Sequence, residues 1–346
     1  SEVAILVDIQ TAMRRADELS KLGLGVTAPN PIVGAVIVDD SGEIIGEGFH
    51  QRANNGAHAE VIALNVAGEK AEGATLVLTL EPCNHTGKTP PCVDAIIAAG
   101  IKRVIFSIKD PNPIAQGGAE RLRAKGVEVV EGVLKDKVSF SNRAWLNKID
   151  KKRPYITLKV ASSLDGKISA ADGSSKWITN EASRSDVARL RSECDAIVTG
   201  TGTVIADDPS LTVRGINRAG AKFAPTRVVL GKRGIPSGAK LLDDSAPTIH
   251  LQTDEISQLI ELANSKGWNR ILIEAGPTLT GALLKEGLID ELFLYQAPTL
   301  LGGNFDFTRD LGIRNISERL DLQLHGVETL GDAQKDLRLH LLAVNS

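Results

Sequence analysis

One histidine, one glutamate and two cysteines constrain the fold of this chain more than any other feature. His58 and Glu60 stand two residues apart, and Cys83 and Cys92 each follow a proline further along. An imidazole and two thiolates make a three-ligand zinc site that leaves a fourth position open for water. Glu60 does not share a helix face with His58, so it is better placed to carry protons than to bind the metal. A fold that uses these residues must direct three separate segments at one point.

The set matches the zinc-deaminase signature. In such sites a zinc-activated water attacks an amino-bearing ring carbon, and a glutamate that is not a ligand moves the protons. Two other interpretations stay open on the residues alone. The His-x-Glu pair could be a solvated helix start, or the zinc could be purely structural. A structural site normally closes with a fourth protein ligand, and the sequence shows no evident one.

Composition limits the remaining possibilities. A chain of 346 residues with 42% hydrophobic residues is long enough for two domains with separate cores. A net charge of -3 and only 3% aromatic residues argue against a nucleic-acid partner. The few cysteines indicate a reducing compartment, and no apolar stretch reaches the length of a membrane span. We therefore expect a cytoplasmic protein with no membrane and no nucleic-acid partner, which acts on a small molecule.

Strands alternate with helices in both halves of the chain, which predicts an α/β fold. In the first half we predict helices at residues 3–24, from about 58, at 91–100 and at 119–125, and strands at 33–38, 44–49, 75–80, 103–108 and 127–133. In the second half we predict helices at 181–193, 254–266 and 279–285, and strands at 155–160, 196–199, 227–230, 248–251, 270–274 and 291–296. Residues 205–224 show no clear period and are predicted to be a functional loop.

A charged helical bridge at residues 134–152 separates the two halves. Arg153-Pro154 ends it, and a β-branched strand begins afresh at Tyr155. We therefore predict one domain at residues 1–151 and a second at 152–346.

Glycine-rich turns follow two strands of the second half, at residues 199–203 and 274–282. Glycine lets backbone N–H groups approach a phosphate at a helix start, although such turns also occur in α/β proteins that bind no nucleotide. The first turn has Ile205 where the dinucleotide fingerprint requires its third glycine, which argues against a standard Rossmann unit.

At this point the chain resembles a known family, the bifunctional riboflavin-biosynthesis deaminase-reductases. The resemblance covers nearly the whole chain, and the long interval between Cys83 and Cys92 is its most specific part. Most nucleoside and nucleic-acid deaminases keep two residues between these cysteines, whereas this chain has an insert with His85 and Lys88. The matching runs are residues 29–34, 58–60, 81–92, 110–113, 158–159, 163–167, 177–179, 206–214 and the turn at Glu274.

The resemblance implies an N-terminal cytidine-deaminase-like α/β/α domain and a C-terminal dihydrofolate-reductase-like α/β domain. It implies one zinc ion per chain and NADPH as cofactors, and a homodimer or higher homo-oligomer formed through the reductase half. The first domain is expected to deaminate a diaminopyrimidinone phosphoribosylamine, and the second to reduce the ribosyl group of the product to ribityl.

The same resemblance assigns roles to particular residues. Zinc ligands map to His58, Cys83 and Cys92, with Glu60 as the proton shuttle. The deaminase pocket maps to Asn30, Lys88 and Asp110. In the reductase half, substrate contacts map to Ser175, Arg191, Leu211, Arg214 and Glu274. Cofactor contacts map to Ala161, Trp177, Thr203, Asp207, Gly276, Pro277, Thr278, Leu279, Thr280, Gly281 and Ala282.

Lys159 and Glu274 are expected to assist the hydride step. Both are predicted at the carboxyl ends of strands, where open α/β sheets bind ligands. There they would orient the ribose and assist proton transfer, while residues 276–282 hold the cofactor phosphate through backbone N–H groups.

Several alternatives remain at this stage. Arg191 and Arg214 could be solvated surface charges, residues 207–209 a simple turn, and Trp177 a core residue. Two arginines beside one loop nevertheless suit a phosphorylated substrate, because the guanidinium fork matches phosphate. For the whole chain, the rival function is an RNA or nucleoside deaminase fused to a non-catalytic binding module.

Overall fold

The computed structural model describes residues 8–51, 56–84, 91–113, 115, 117–213 and 224–344. The chain divides into two compact units, Ser1–Asp150 and Lys151–Ser346. In the part of the chain described, no helix has the length and apolar character needed to cross a membrane. The predicted α/β fold class is confirmed in both units.

The first unit is built on a five-stranded sheet with the order β2-β1-β3-β4-β5. β1 pairs antiparallel with β2 and β3, whereas β3, β4 and β5 run parallel. The strands are β1 (Gly34–Val38), β2 (Ile44–Phe49), β3 (Thr75–Leu80), β4 (Arg103–Ile108) and β5 (Glu128–Glu131). The helices are α1 (Ile9–Lys21), α2 (Ala59–Ala67), α3 (Cys92–Ala98), α4 (Gly118–Ala124), α5 (Lys135–Ser141) and α6 (Arg143–Lys151).

Close packing of α2 on β2 positions the first candidate site. A Cβ atom at Gly48 would lie 2.4 Å from the carbonyl oxygen of Ala59, so only glycine permits this approach. β3 and β4 are buried almost throughout, as expected for parallel strands covered on both faces. The start of α2 is therefore held close to the sheet, near the carboxyl ends of β3 and β4.

The second unit has an eight-stranded sheet with the order β12-β13-β11-β6-β10-β7-β8-β9. β11, β6, β10, β7, β8 and β9 run parallel, and β13 and β12 continue the sheet antiparallel. The strands are β6 (Tyr155–Ser163), β7 (Ala196–Gly200), β8 (Thr226–Leu230), β9 (Thr248–Leu251), β10 (Arg270–Ile273), β11 (Glu291–Ala297), β12 (Leu322–Leu330) and β13 (Asp336–Ala343). The helices are α7 (Glu181–Ser192), α8 (Thr201–Asp207), α9 (Ile256–Ser265) and α10 (Pro277–Lys285).

The structure differs from the sequence-based expectation in four respects. The bridge at 134–152 is two helices, α5 and α6. The glycine-rich turn at 199–203 opens the short helix α8, so the predicted loop begins only after Asp207, and residues 214–223 of it lie outside the described residues. β12 and β13 were not predicted, and β6 extends to Ser163 rather than ending at 160.

Candidate active sites in the two units

Three different segments bring the predicted zinc ligands together in the first unit. His58 is the N-cap of α2, Cys83 follows β3, and Cys92 is the first residue of α3. His58 Nδ1 lies 3.0 Å from Cys92 Sγ and 3.7 Å from Cys83 Sγ. All three ligand atoms fall within 4.8 Å of one another. One nitrogen and two thiol sulfurs that converge from three segments are the donor set of a zinc site with a fourth position open, so these residues fit the ion.

The thiols are prepared for a metal by their surroundings. The backbone N–H of Cys92 donates a hydrogen bond to Cys83 Sγ over 3.3 Å. The Cys92 side chain, together with His58, lowers the pKa of Cys83 to about 4, despite burial. The same contact with Cys83, together with burial, raises the pKa of Cys92. The pair therefore shares one proton, which a bound cation would displace.

Glu60 lies in the first turn of α2 beside these ligands, and only 4% of it is exposed. Burial raises the pKa of its carboxyl group, which also lies in hydrogen-bonding contact with Cys92. A buried carboxyl group with a raised pKa holds a proton more readily than a solvated one, as a general acid–base group requires. Its position and environment therefore suit the proton shuttle that the sequence predicts.

Asn30 is oriented by a histidine that the sequence analysis missed. His50, directly after β2, is buried, and its Nδ1 lies 3.0 Å from the carbonyl oxygen of Ala57. Since a carbonyl only accepts, Nδ1 carries the proton and Nε2 accepts from Asn30 Nδ2 at 3.2 Å. The amide oxygen of Asn30 is then turned away from His50. A histidine directly after a predicted strand, eight positions before His58, was the available signal.

Glu81 organises the segment that carries Cys83. Its buried carboxylate accepts hydrogen bonds from the backbone N–H groups of Asp110, Gly117 and Ala119 over 3.1 to 3.2 Å. Asp110 follows β4, next to the end of β3, and it accepts from the N–H of Asn112 at 2.8 Å. Lys88, the remaining predicted pocket residue, lies outside the described residues.

The second unit brings the partly buried side chains of Lys159 and Arg191 together with the buried Glu274. Lys159 Nζ lies 3.2 Å from Glu274 Oε2. The Arg191 guanidinium donates through Nε to Oε1 at 2.5 Å and through Nη2 to Oε2 at 2.8 Å, and Nη1 donates to the carbonyl of Thr212 at 3.1 Å. Burial alone would raise the pKa of Glu274, but the charges of Arg191 and Lys159 hold it at about 2. Glu274 is therefore a carboxylate throughout the neutral range.

The position of Lys159 corrects one expectation. Glu274 directly follows β10, as predicted, but Lys159 lies inside β6, which continues to Ser163. Leu158 pairs with Ile273 in the parallel register, so Lys159 is level with Glu274. The two side chains meet because β6 continues beyond the end of β10, not because both strands end there.

Most of the predicted cofactor residues lie in α8 and in the first turns of α10. Gly276 is the N-cap of α10, and its N–H donates to Thr203 Oγ1 of α8 at 3.1 Å. Asp207 closes α8, and its carbonyl accepts from Lys176 Nζ at 3.2 Å. Residues 277–282 form the first turns of α10, and Ala161 lies on β6, two residues beyond Lys159.

The structure decides between several open interpretations. Trp177 is not a core residue, because 70% of it is exposed, with the Arg184 guanidinium 4.5 Å from its ring. Arg191 is not a solvated charge, since its side chain is only 20% exposed. Leu211 is buried, so a substrate contact there would use its backbone. Ser175 lies two residues before Trp177, and Arg214 lies outside the described residues.

Comparison with known proteins agrees with this geometry. Residues 154–334 match the family model of the RibD C-terminal domain, and residues 7–108 match the cytidine and deoxycytidylate deaminase zinc-binding region. The riboflavin biosynthesis protein RibD of Mycobacterium tuberculosis is 47% identical over 97% of this chain and 97% of its own length. A solved structure of Acinetobacter baumannii RibD is 41% identical, with a TM-score of 0.86 over 97% of this chain and 99% of that chain.

A third similar protein carries an explicit description. The Thermotoga maritima structure is described as a diaminohydroxyphosphoribosylaminopyrimidine deaminase/5-amino-6-(5-phosphoribosylamino)uracil reductase. It is 35% identical, with a TM-score of 0.87 over 97% of this chain and 99% of that chain.

Fold and sites together define a bifunctional enzyme, with a zinc-binding deaminase domain followed by a reductase domain. The chain belongs to the RibD family, whose members perform these two reactions in riboflavin biosynthesis. Its cofactors are zinc and NADPH. The rival interpretations, a deaminase fused to a non-catalytic module and a purely structural zinc domain, are therefore wrong.

Proposed function

We propose that this chain deaminates 2,5-diamino-6-(5-phosphoribosylamino)pyrimidin-4-one and then reduces the ribosyl group of the product. The final product would be 5-amino-6-(5-phosphoribitylamino)uracil. The observation that carries this proposal is that one chain holds both clusters complete: Glu60 beside the His/Cys/Cys group, and Lys159 beside the Arg191–Glu274 pair. The description of the similar Thermotoga maritima protein supports the choice of substrate.

The two reactions would be divided between residues 1–151 and 152–346. The compact units Ser1–Asp150 and Lys151–Ser346 support this division. Each proposed cluster draws its described residues from a single unit.

In the deaminase domain, His58, Cys83 and Cys92 would hold the zinc ion. Zinc, when bound, supplies a water of lowered pKa. Glu60 would be the group that takes up a proton and delivers it to the departing amino group. Asn30, held by His50, would direct its amide oxygen toward N–H groups of the substrate. Lys88 and Asp110 would contribute the remaining pocket contacts.

In the reductase domain, NADPH would bind along Ala161, Trp177, Thr203, Asp207 and residues 276–282. The residues fit this cofactor, because the first N–H groups of α10 have no partner within the helix and can bind phosphate. NADPH, when bound, supplies the hydride. Ser175, Arg191, Leu211 and Arg214 would contact the phosphorylated substrate.

Reduction requires the ring-opened imine of the ribosylamine. One hydride adds to the imine carbon and one proton adds to the imine nitrogen. Lys159 is the proposed source of that proton, because Glu274 is already ionised. Glu274 orients Lys159 and accepts a hydrogen bond from the sugar.

A two-step assay tests the whole proposal. With the diaminopyrimidinone substrate, the chain should release ammonia and then oxidise about one NADPH for each ammonia released, because reduction follows deamination. Separate measurement of ammonia and of absorbance at the NADPH band checks this order. Ammonia release without NADPH oxidation, or oxidation of NADPH before any ammonia appears, would contradict it.

A cytoplasmic homodimer is also part of the proposal. β12 is the edge strand of the eight-stranded sheet, and its side chains Leu322, Leu324 and Val327 are exposed. Exposed apolar edge strands commonly pair with another chain. Three free cysteines, two of them in the zinc group, suit a reducing compartment. Sedimentation equilibrium of the full chain under reducing conditions should give twice the mass of one chain, and a monomer would reject the dimer.

A further inference from the structure

Arg191 contacts more protein groups than an arginine side chain left free to bind a phosphate would. On one edge of its guanidinium, Nε and Nη2 donate hydrogen bonds to the two carboxylate oxygens of Glu274. Nη1 donates to the carbonyl of Thr212, in the segment that follows α8. The side chain thus joins α7, the end of β10 and this segment at a single buried point.

We propose that Arg191 is a positioning residue for the hydride step: it holds the Glu274 carboxylate in the orientation that directs Lys159 at the substrate. This inference rests on the proposed roles of Lys159 and Glu274. It is independent of the phosphate contact that the family resemblance implies for the same side chain.

The geometry of the pair supplies the first argument. A bidentate contact fixes both the distance and the rotation of a carboxylate, whereas a single hydrogen bond leaves its rotation free. With both oxygens of Glu274 held by Arg191, Oε2 also faces Lys159 Nζ at 3.2 Å. Lys159 is therefore directed by a carboxylate that cannot turn.

The anchoring of α7 supplies the second argument, since a positioning residue must itself be fixed. At the start of α7, Asp336 Oδ2 accepts from the N–H of Asn180 at 2.7 Å and from Ser183 Oγ at 2.6 Å. In its middle, Asp186 accepts from Tyr295 Oη at 2.6 Å and from Arg338 at 2.7 Å. These contacts tie α7 to β11 and β13, so Arg191 in its last turn projects from a rigid support.

Charge supplies a third argument. The pKa of Glu274 stays at about 2 in spite of burial because Arg191 and Lys159 both face it. Without Arg191, a buried carboxyl group would hold its proton more readily and attract the Lys159 ammonium less. The lysine would then lose both its orientation and its charged partner.

The test compares Arg191→Lys with the unchanged chain on two substrates: the deaminated intermediate, and the same compound without its 5-phosphate. The variant keeps the charge but loses the bidentate geometry. We expect kcat for NADPH oxidation to fall on the order of 100-fold with both substrates, as for a misplaced catalytic group. If Arg191 served only to bind the phosphate, its replacement would instead raise KM for the phosphorylated compound and leave the kinetics of the dephosphorylated compound unchanged. That second pattern would overturn the proposal.

Arg189→Lys is the matched control. Arg189 lies on the same helix but pairs with Asp186 and Glu193, so its replacement should leave kcat nearly unchanged. An equal loss of kcat in this control would show that the helix, and not Arg191, is responsible, and would overturn the proposal.

A second variant guards against a folding defect. In Arg191→Ala, millimolar guanidinium should restore part of kcat, because it can occupy the vacated site beside Glu274. Full folding of the variant without any rescue would count against a positioning role.

Failure of the underlying function has a different signature. If Glu274→Gln keeps normal kcat, the roles of Lys159 and Glu274 are wrong, whereas a loss in Glu274→Gln with none in Arg191→Lys rejects the present inference alone.

Discussion

Glu60→Gln is expected to abolish deamination while leaving zinc content and reduction intact. Glutamine keeps the shape of the side chain but cannot accept and return a proton. Loss of this general acid–base step should lower the deamination rate roughly 100-fold or more. The raised pKa of the buried Glu60 carboxyl group supports the role, since the proton must be held and released within one cycle. Ammonia release under saturating substrate measures the effect.

Two comparisons complete that experiment. The deaminated intermediate, supplied directly, should be reduced by Glu60→Gln at the normal rate. Cys92→Ala should lose bound metal together with deamination, because it removes one of the three proposed ligands. If Glu60→Gln also failed to oxidise NADPH with the intermediate present, the assignment of two separate sites would be wrong.

Lys159→Ala and Glu274→Gln should impair reduction and not deamination, which is the reverse of the effect expected for Glu60→Gln. Both should lower reduction through kcat and kcat/KM together, because their interactions develop mainly in the transition state. A loss of roughly 100-fold is expected for Lys159→Ala, which removes the proposed proton donor. Deamination should be spared. Steady-state kinetics with the deaminated intermediate measure both effects.

The two variants differ in one important respect. Glu274→Gln leaves the buried Arg191 charge without its partner carboxylate, which destabilises a fold, so its thermal unfolding must be followed as well. Lys159→Ala keeps the Arg191–Glu274 pair and is the cleaner test. Lys232→Ala, at an exposed lysine paired with Asp254, is a suitable control and should be silent. Near-normal kcat in both active-site variants would leave Lys159 and Glu274 as structural residues.

The zinc cluster could be predicted from the sequence because its parts are chemically distinctive. A histidine and two cysteines at predicted strand–helix junctions have few other uses, and the structure brings their ligand atoms within 4.8 Å. The alternating helices and strands could be predicted for a similar reason, since hydrophobic period is a local property of the chain. β12 was not predicted from its hydrophobic period. Its pairing with β13 shifts register between Leu324 and Gly326, which interrupts the alternation of apolar and polar residues.

The contacts of His50 illustrate what could not be predicted from the sequence. Nothing near it in the sequence reveals that one ring nitrogen meets the carbonyl of Ala57 while the other meets Asn30. The tautomer, and with it the direction of the Asn30 amide, follows from both contacts together.

By itself the sequence determined the class of fold and predicted a zinc group of one histidine and two cysteines, because residue type and local period carry that information. Lys159 and Glu274 were predicted only through the resemblance to a known family. Only the tertiary structure decided how the side chains act on one another. Arg191 and Glu274 are 83 residues apart, and they meet because α7 is anchored to β11 and β13 while β10 lies beside β6. Lys159 reaches them from within a strand because of the register of that parallel pair. Strand order and register depend on pairing between distant segments, which no local pattern specifies.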